Sequence, residues 1–159
     1  MAKDDPRFAP LEMEITPELY DEIRSRWLEH VTTEEKLFVP VSDEEWDRYL
    51  AAVLDTLTDD CVMEVRSARI RFEGRDGART FYETFIPSFE GMKWEPQALV
   101  IGPQGVLDVA DMTAKLVKPF AGLDGVGEEV STEWVVYFPW DHEQRKFRGE
   151  TIFSIRRTG

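Results

Sequence analysis

The chain has 159 residues, 42% of them apolar and 32% charged, and its 32 acidic against 19 basic side chains leave a net charge of −13. That length suits one domain with one core, and that charge repels phosphate backbones and anionic headgroups, so nucleic acid and membrane surfaces are not expected partners. The single cysteine, Cys61, rules out an internal disulfide and a thiolate zinc site, and the N-terminal MAKDDPRFAP lacks the apolar run of a secretory signal, so a cytoplasmic location is expected.

Lys3, Asp4, Asp5, Pro6 and Pro10 give residues 1–15 no usable period, so an extended arm is expected there, followed by one domain over 16–159. Thr16 before Pro17 is an N-cap signal, and Tyr20, Ile23, Trp27 and Val31 follow at helical spacing. Ser42 to Glu45 reads as a capping box with Val41 and Trp46 as its hydrophobic staple. The second helix starting there carries the stripe Trp46, Tyr49, Leu50, Val53, Leu54 and Leu57. Asp59 and Asp60 then read as turn formers at a helix-to-strand junction. Short alternating segments at 61–66 and 69–73 precede a third helix over 74–89, entered through a Gly-Arg-Asp-Gly turn, with Ala78, Phe81, Tyr82 and Phe85 on one face. Segments 94–101 and 106–116 flank the hairpin signal Gly102-Pro103-Gln104-Gly105, and 130–138 and 147–156 form another pair. Long strands adjacent in sequence favour antiparallel pairing, so helices followed by this meander predict an α+β fold. A sheet curved around the helices would leave a cavity.

One stretch is more specific: Leu57-Thr58-Asp59-Asp60-Cys61-Val62-Met63-Glu64, then Phe72-Glu73-Gly74-Arg75-Asp76-Gly77-Ala78-Arg79-Thr80-Phe81-Tyr82. It resembles the SnoaL-like branch of the NTF2-like superfamily, whose polyketide cyclases and ketosteroid isomerases share these signals. The resemblance continues through Trp94-Glu95-Pro96, Phe120-Ala121-Gly122-Leu123 and Arg148-Gly149-Glu150. It implies a cone-shaped α+β barrel with N-terminal helices packed in a curved antiparallel sheet, an internal apolar pocket, and a homodimer formed through the outer sheet face. Family members share a fold rather than a reaction, so the residues must decide the chemistry. Where the isomerases carry an aspartate base and a tyrosine acid, this sequence has Val65 and Trp27. Where the cyclases carry a histidine and an aspartate on the last strand, it has Glu150 and Ile152.

Glu150 is the leading candidate acid or base. Alternation places it with Ile152 on the strand face that the cyclase comparison turns into the cone, and a lone carboxylate in an apolar cavity can exchange a proton with a substrate. The competing reading pairs it with Arg148 or Lys146, which alternation puts on the same face. His30 lies one turn after Trp27 and is expected toward the open end of the cone as a proton shuttle; the alternative is a histidine that complements the helix dipole. Tyr137 is a hydrogen-bond donor if its strand presents Glu133, Val135 and Tyr137 inward, and an outer residue if Trp134, Val136 and Phe138 face inward. Trp27, Met63, Phe85, Trp134 and Ile152 are expected to line the pocket. Two isolated histidines, without metal-ligand spacing, predict no metal site, and no cofactor is expected.

Two functions fit these expectations. One is a cofactor-free acid/base isomerase, cyclase or dehydratase acting on a small, largely apolar carbonyl compound. The other is a non-catalytic ligand carrier or dimeric interaction module. Large apolar residues on both faces of 134–138 favour a homodimer in either case, since only one face can look into a cone.

Overall fold

Thr16 starts the first helix by the route its side chain offers: its hydroxyl accepts from the Leu19 N–H at 3.1 Å, and α1 runs over Pro17–Glu35. The structure, a computed structural model, describes residues 13–159, so the arm expected over 1–15 lies outside the described residues as far as residue 12. Ser42 and Glu45 close the capping box reciprocally at 3.2 and 3.3 Å, and α2 spans Asp43–Asp55. Leu57, expected on the α2 stripe, instead opens β1 (Leu57–Val65), which also contains Asp59 and Asp60. These two acids are therefore strand residues rather than junction turns. They sit where the pairing of β1 skips between Leu57 and Val62, so they bulge into solvent.

After β2 (Ile70–Glu73), α3 begins directly at Gly74 and stops at Phe85, earlier than the periodicity predicts. Pro87 explains the stop: it lacks the N–H that would carry the helical ladder on, and a short 3-10 turn over Ile86–Ser88 delivers the chain to β3 (Phe89–Gly102). Then come β4 (Gly105–Leu116), β5 (Glu129–Asp141) and β6 (Lys146–Arg157), each antiparallel to its predecessor.

The six strands form one sheet in the order β2-β1-β6-β5-β4-β3. The fold is α+β, but the sheet is mixed rather than wholly antiparallel, because β1 joins β6 in parallel. Adjacency arguments govern sequence neighbours, and β1 and β6 are connected through most of the chain. The helices cover one face, α3 against β1 and β2, α1 against β3 and β4. Phe85 of α3 also meets Trp134 of β5 and Phe89 of β3, at ring-centroid distances of 5.3 and 5.8 Å. One helix thus touches strands from both halves of the sheet, which requires the sheet to curl around it.

Two local features set which side chains face inward. On β5, burial alternates without a break, with Val130, Thr132, Trp134, Val136, Phe138 and Trp140 inward, so Tyr137 lies on the outer face. Its hydroxyl donates to the Gln104 carbonyl at 3.0 Å, which corrects its expected place in the cone. On β6, the pairing with β5 shifts between Trp140↔Phe147 and Tyr137↔Thr151, leaving one extra residue on β6. Gly149 sits in that bulge at φ +116°, and a Cβ there would fall 1.9 Å from the Val62 carbonyl oxygen. The bulge resets the alternation: Arg148 points to solvent while Glu150 is buried. The competing reading, a pairing of Glu150 with Arg148 or Lys146, is therefore removed: Lys146 instead meets Asp55 at 3.4 Å.

Among the described residues, no helix is long and apolar enough to cross a membrane.

A candidate active site in an acidic, aromatic cavity

Between α1 and the inner face of the sheet lies a cavity of about 120 Å³. Buried Phe81, Phe85, Trp134, Val136, Phe138 and Ile152 make its floor, while Trp27, Val31, Phe38, Trp94 and Pro96 rise toward solvent. Aromatic rings interlock in this wall: Trp94 stands edge-on to Trp134 at 5.2 Å between centroids, and Trp27 edge-on to Phe138 at 6.3 Å.

Every ionisable side chain in the lining is an acid: Glu34 and Glu35 from α1, Asp108 from β4 and Glu150 from β6. Among the described residues, no lysine or arginine pairs with Glu34, Asp108 or Glu150. Burial, reinforced by the negative charge of Glu150, holds Glu34 well above the usual carboxylate range. The same two causes, in the same order, bring Asp108 to about 6.

Behind Glu34 and Glu150 sits a buried polar cluster. The Tyr82 hydroxyl, on α3, donates to Glu150 Oε2 at 2.5 Å and stands 3.3 Å from His30 Nε2. That same nitrogen faces Glu34 Oε2 at 3.6 Å and Glu150 Oε2 at 3.7 Å. On the other side of the ring, His30 Nδ1 lies 2.7 Å from Thr56 Oγ1, whose own proton goes to the Val53 carbonyl at 2.6 Å. The Thr56 oxygen must therefore accept, which fixes a proton on Nδ1 and leaves Nε2 turned toward the two carboxyl groups. Burial and the Glu150 charge push the Tyr82 phenol well above its ordinary value, so it stays a proton-bearing donor.

The candidates read from sequence fall into three groups. Glu150, Trp27, Phe85, Trp134 and Ile152 line the cavity. His30 is fully buried beneath it rather than at an open end, where Nε2 faces the lining residues Glu34 and Glu150 and the ring stands edge-on to Phe138 at 5.5 Å. Tyr137 and Met63 do not line it; Met63 is fully buried in the core beside Glu150 in the β1–β6 register.

Sequence reasoning missed Glu34, Asp108 and Tyr82 as functional residues. Glu34 was findable, because it continues the stripe Trp27–Val31 at the next helical step and lies one turn after His30. Asp108 shares strand parity with inward Val106, Ala110 and Met112. Tyr82 is hidden by its aromatic neighbours, since a phenol on an apolar face counts as core until its partner is known.

The indole N–H groups of Trp27 and Trp94, both wall residues, are buried without a partner among the described residues. Such donors are costly to leave unmet, and an acceptor oxygen brought by a ligand would relieve them. Among the described residues, no group of three or more His, Cys, Asp or Glu side chains is arranged to hold a metal ion.

Comparison with known proteins agrees with this architecture. The family model described as the SnoaL-like domain matches residues 43–159. A candidate SnoaL-like polyketide cyclase from Jannaschia sp. CCS1 is 19% identical and superposes with a TM-score of 0.63, over 89% of this chain and 90% of that one. An NTF2-like protein from Burkholderia xenovorans LB400 is 12% identical, with a TM-score of 0.64 over 86% of this chain and 90% of that one. AclR, a candidate hydroxylase from Streptomyces galilaeus, is 17% identical, with a TM-score of 0.58 over 86% of this chain and 80% of that one. At these identities the likeness is one of fold. No curated protein matches the chain significantly.

Proposed function

The chain belongs to the SnoaL-like family, and from that membership and the chemistry of its cavity we propose that it binds a small, largely apolar carbonyl compound and moves a proton on it without a cofactor. The observation that carries this reading is the pair Glu34 and Glu150, both facing His30 Nε2 at 3.6 and 3.7 Å in the wall of an aromatic cavity. Two carboxyl groups in different surroundings can divide the roles of acid and base. Glu150, oriented by the Tyr82 hydroxyl, takes a proton from the carbon next to the carbonyl, and the C–H electron pair moves toward the carbonyl oxygen. Glu34, whose neutral form burial favours, donates to that oxygen. His30 Nε2 then links the two carboxyl groups, so the proton can return to carbon at the same or another position. Isomerisation, cyclisation and dehydration all begin with such a step.

The test follows the exchange of α-protons of 2-indanone in deuterium oxide by proton NMR. The protein should accelerate exchange, and E150Q, which keeps an acceptor for Tyr82, should lower the rate about 10²- to 10⁴-fold. Exchange no faster than in buffer, or equal rates for parent and E150Q, would leave the carrier reading in its place. That second reading has its own support: Val65, Trp27 and Ile152 stand where the family's isomerases and cyclases carry acid/base residues.

The same reading takes 16–159 as one domain acting in the cytoplasm as a homodimer. Leu107, at the outer sheet face, is 37% exposed and Val100 59%, an apolar surface that a second copy would cover. Light scattering that reports an 18.5 kDa particle at micromolar concentration would refute the dimer.

A further inference from the structure

We propose that the ligand carries a protonated amine, seated against Asp108 between the aromatic faces at the cavity mouth while its apolar body fills the floor. This rests on the reading of the cavity as a ligand site, and it adds the ligand's charge. The lining combines four acids, no base, and the indole rings of Trp27, Trp94 and Trp134. A cavity of about 120 Å³ suits a body of roughly one aromatic ring. An anionic ligand would bring a further negative charge into a wall whose carboxyl groups already raise one another's proton affinity. A neutral ligand leaves that repulsion in place. A cation removes it, and aromatic faces hold a cation well where water is excluded.

Asp108 is the counter-ion that fits best among the four. It lies toward the rim on β4, opposite Val136 of β5 and Leu99 of β3, so an ammonium beside it keeps partial access to water. Glu150 is committed to Tyr82, and Glu34 faces His30. Glu35 is exposed at the mouth and adds a negative field along the approach. The charged groups that bear on Asp108 are Glu150 from β6 and Glu34 from α1, with Glu35 of α1 lining the same cavity. With Asp108 titrating at about 6, it is mostly ionised at pH 7.5 and binds an amine without first losing a proton. At pH 6, binding should release protons to solvent.

Calorimetry at pH 7.5 with benzylamine, benzyl alcohol and benzoate separates the possibilities, because the three probes share a ring and differ in charge. Benzylamine should bind at least tenfold more tightly than benzyl alcohol, and benzoate more weakly than either. D108N, isosteric and checked for native circular dichroism, should narrow the amine-to-alcohol ratio at least fivefold. Titrations at pH 6 in buffers of different ionisation enthalpy should show proton release for the amine alone. Alcohol binding as tightly as the amine, or benzoate binding best, overturns the amine while the apolar-ligand reading stands. A ratio unchanged in D108N removes Asp108 as the counter-ion and overturns the proposal. Failure of all three probes to bind removes both this inference and the ligand site on which it rests.

Discussion

Tyr82 and Glu150 meet at 2.5 Å across the core, a phenol of α3 donating to a carboxylate of β6. The bond ties the helix that carries part of the aromatic floor to the strand that carries the candidate base, with Tyr82 fully buried and Glu150 nearly so at the cavity wall. Y82F deletes the donor and leaves Glu150 Oε2 and His30 Nε2 without the oxygen between them. Stability should fall by about 1–3 kcal/mol in urea denaturation, the usual cost of orphaning a buried polar group. Exchange of 2-indanone should slow by roughly one to two orders of magnitude, because the base loses its orientation. A variant with parent stability and parent rate would show that the contact has neither role.

Gly149 admits no side chain. Its φ of +116° and the Val62 carbonyl oxygen 1.9 Å from a Cβ position both oppose G149A. The variant should lose about 3 kcal/mol or more, seen as a lowered urea midpoint or as insoluble protein. Unchanged stability would mean that the β6 bulge opposite β5 does not depend on this residue.

Asp108 links stability to pH with a definite sign. Its proton affinity is higher folded, at about 6, than the ordinary 3.8, so the folded state binds the proton more tightly. Its contribution is complete below the unfolded value and is lost as pH rises through the folded one. Relative to the parent, D108N should be unchanged near pH 3.5 and more stable above pH 7 by about 1–2 kcal/mol, after allowing for partial solvent exposure. The difference between the two proteins, measured by urea denaturation across this range, isolates Asp108 from the other acids. Stabilisation that grows as pH falls would contradict the assignment.

Tyr137 offers a control on the outer face. Y137F removes its bond to the Gln104 carbonyl and should cost about 0.5–1.5 kcal/mol of stability. The 2-indanone exchange rate should stay within about twofold of the parent, since no part of the ring reaches the cavity. A large loss of rate with intact folding would return Tyr137 to the reaction.

The fate of Tyr137 shows what the sequence holds and where it fails. Read only over 130–138, both parities of β5 look apolar. Extended to its true span, Glu129–Asp141, the even positions gain Trp140 while the odd ones gain Glu129, Pro139 and Asp141, and the inward face is plain. Parity on β6 could not be read this way, because the bulge at Gly149 depends on the Val62 backbone of a strand far away in the chain. Helix caps at Thr16 and Ser42 were legible because their partners lie three residues away. Glu34 is the intermediate case: its helical phase was available, but its meaning came from His30 one turn earlier on the same helix and from Tyr82 and Glu150, which meet that histidine from other elements.

The parallel pairing of β1 with β6 governs what a growing chain can do while it is being made. Val62 must wait for Gly149, so a chain synthesised only through β5 has β2 on one side of β1 and an open edge on the other. On that nascent chain the ladder cannot close, the wall that Glu150 completes does not yet exist, and Cys61, Met63 and Val65 lack the neighbouring strand beside which they are buried. Such an edge is a template for pairing with another copy. Polypeptides halted before β6 should therefore depend on a holdase to stay in solution, whereas completed chains no longer need one.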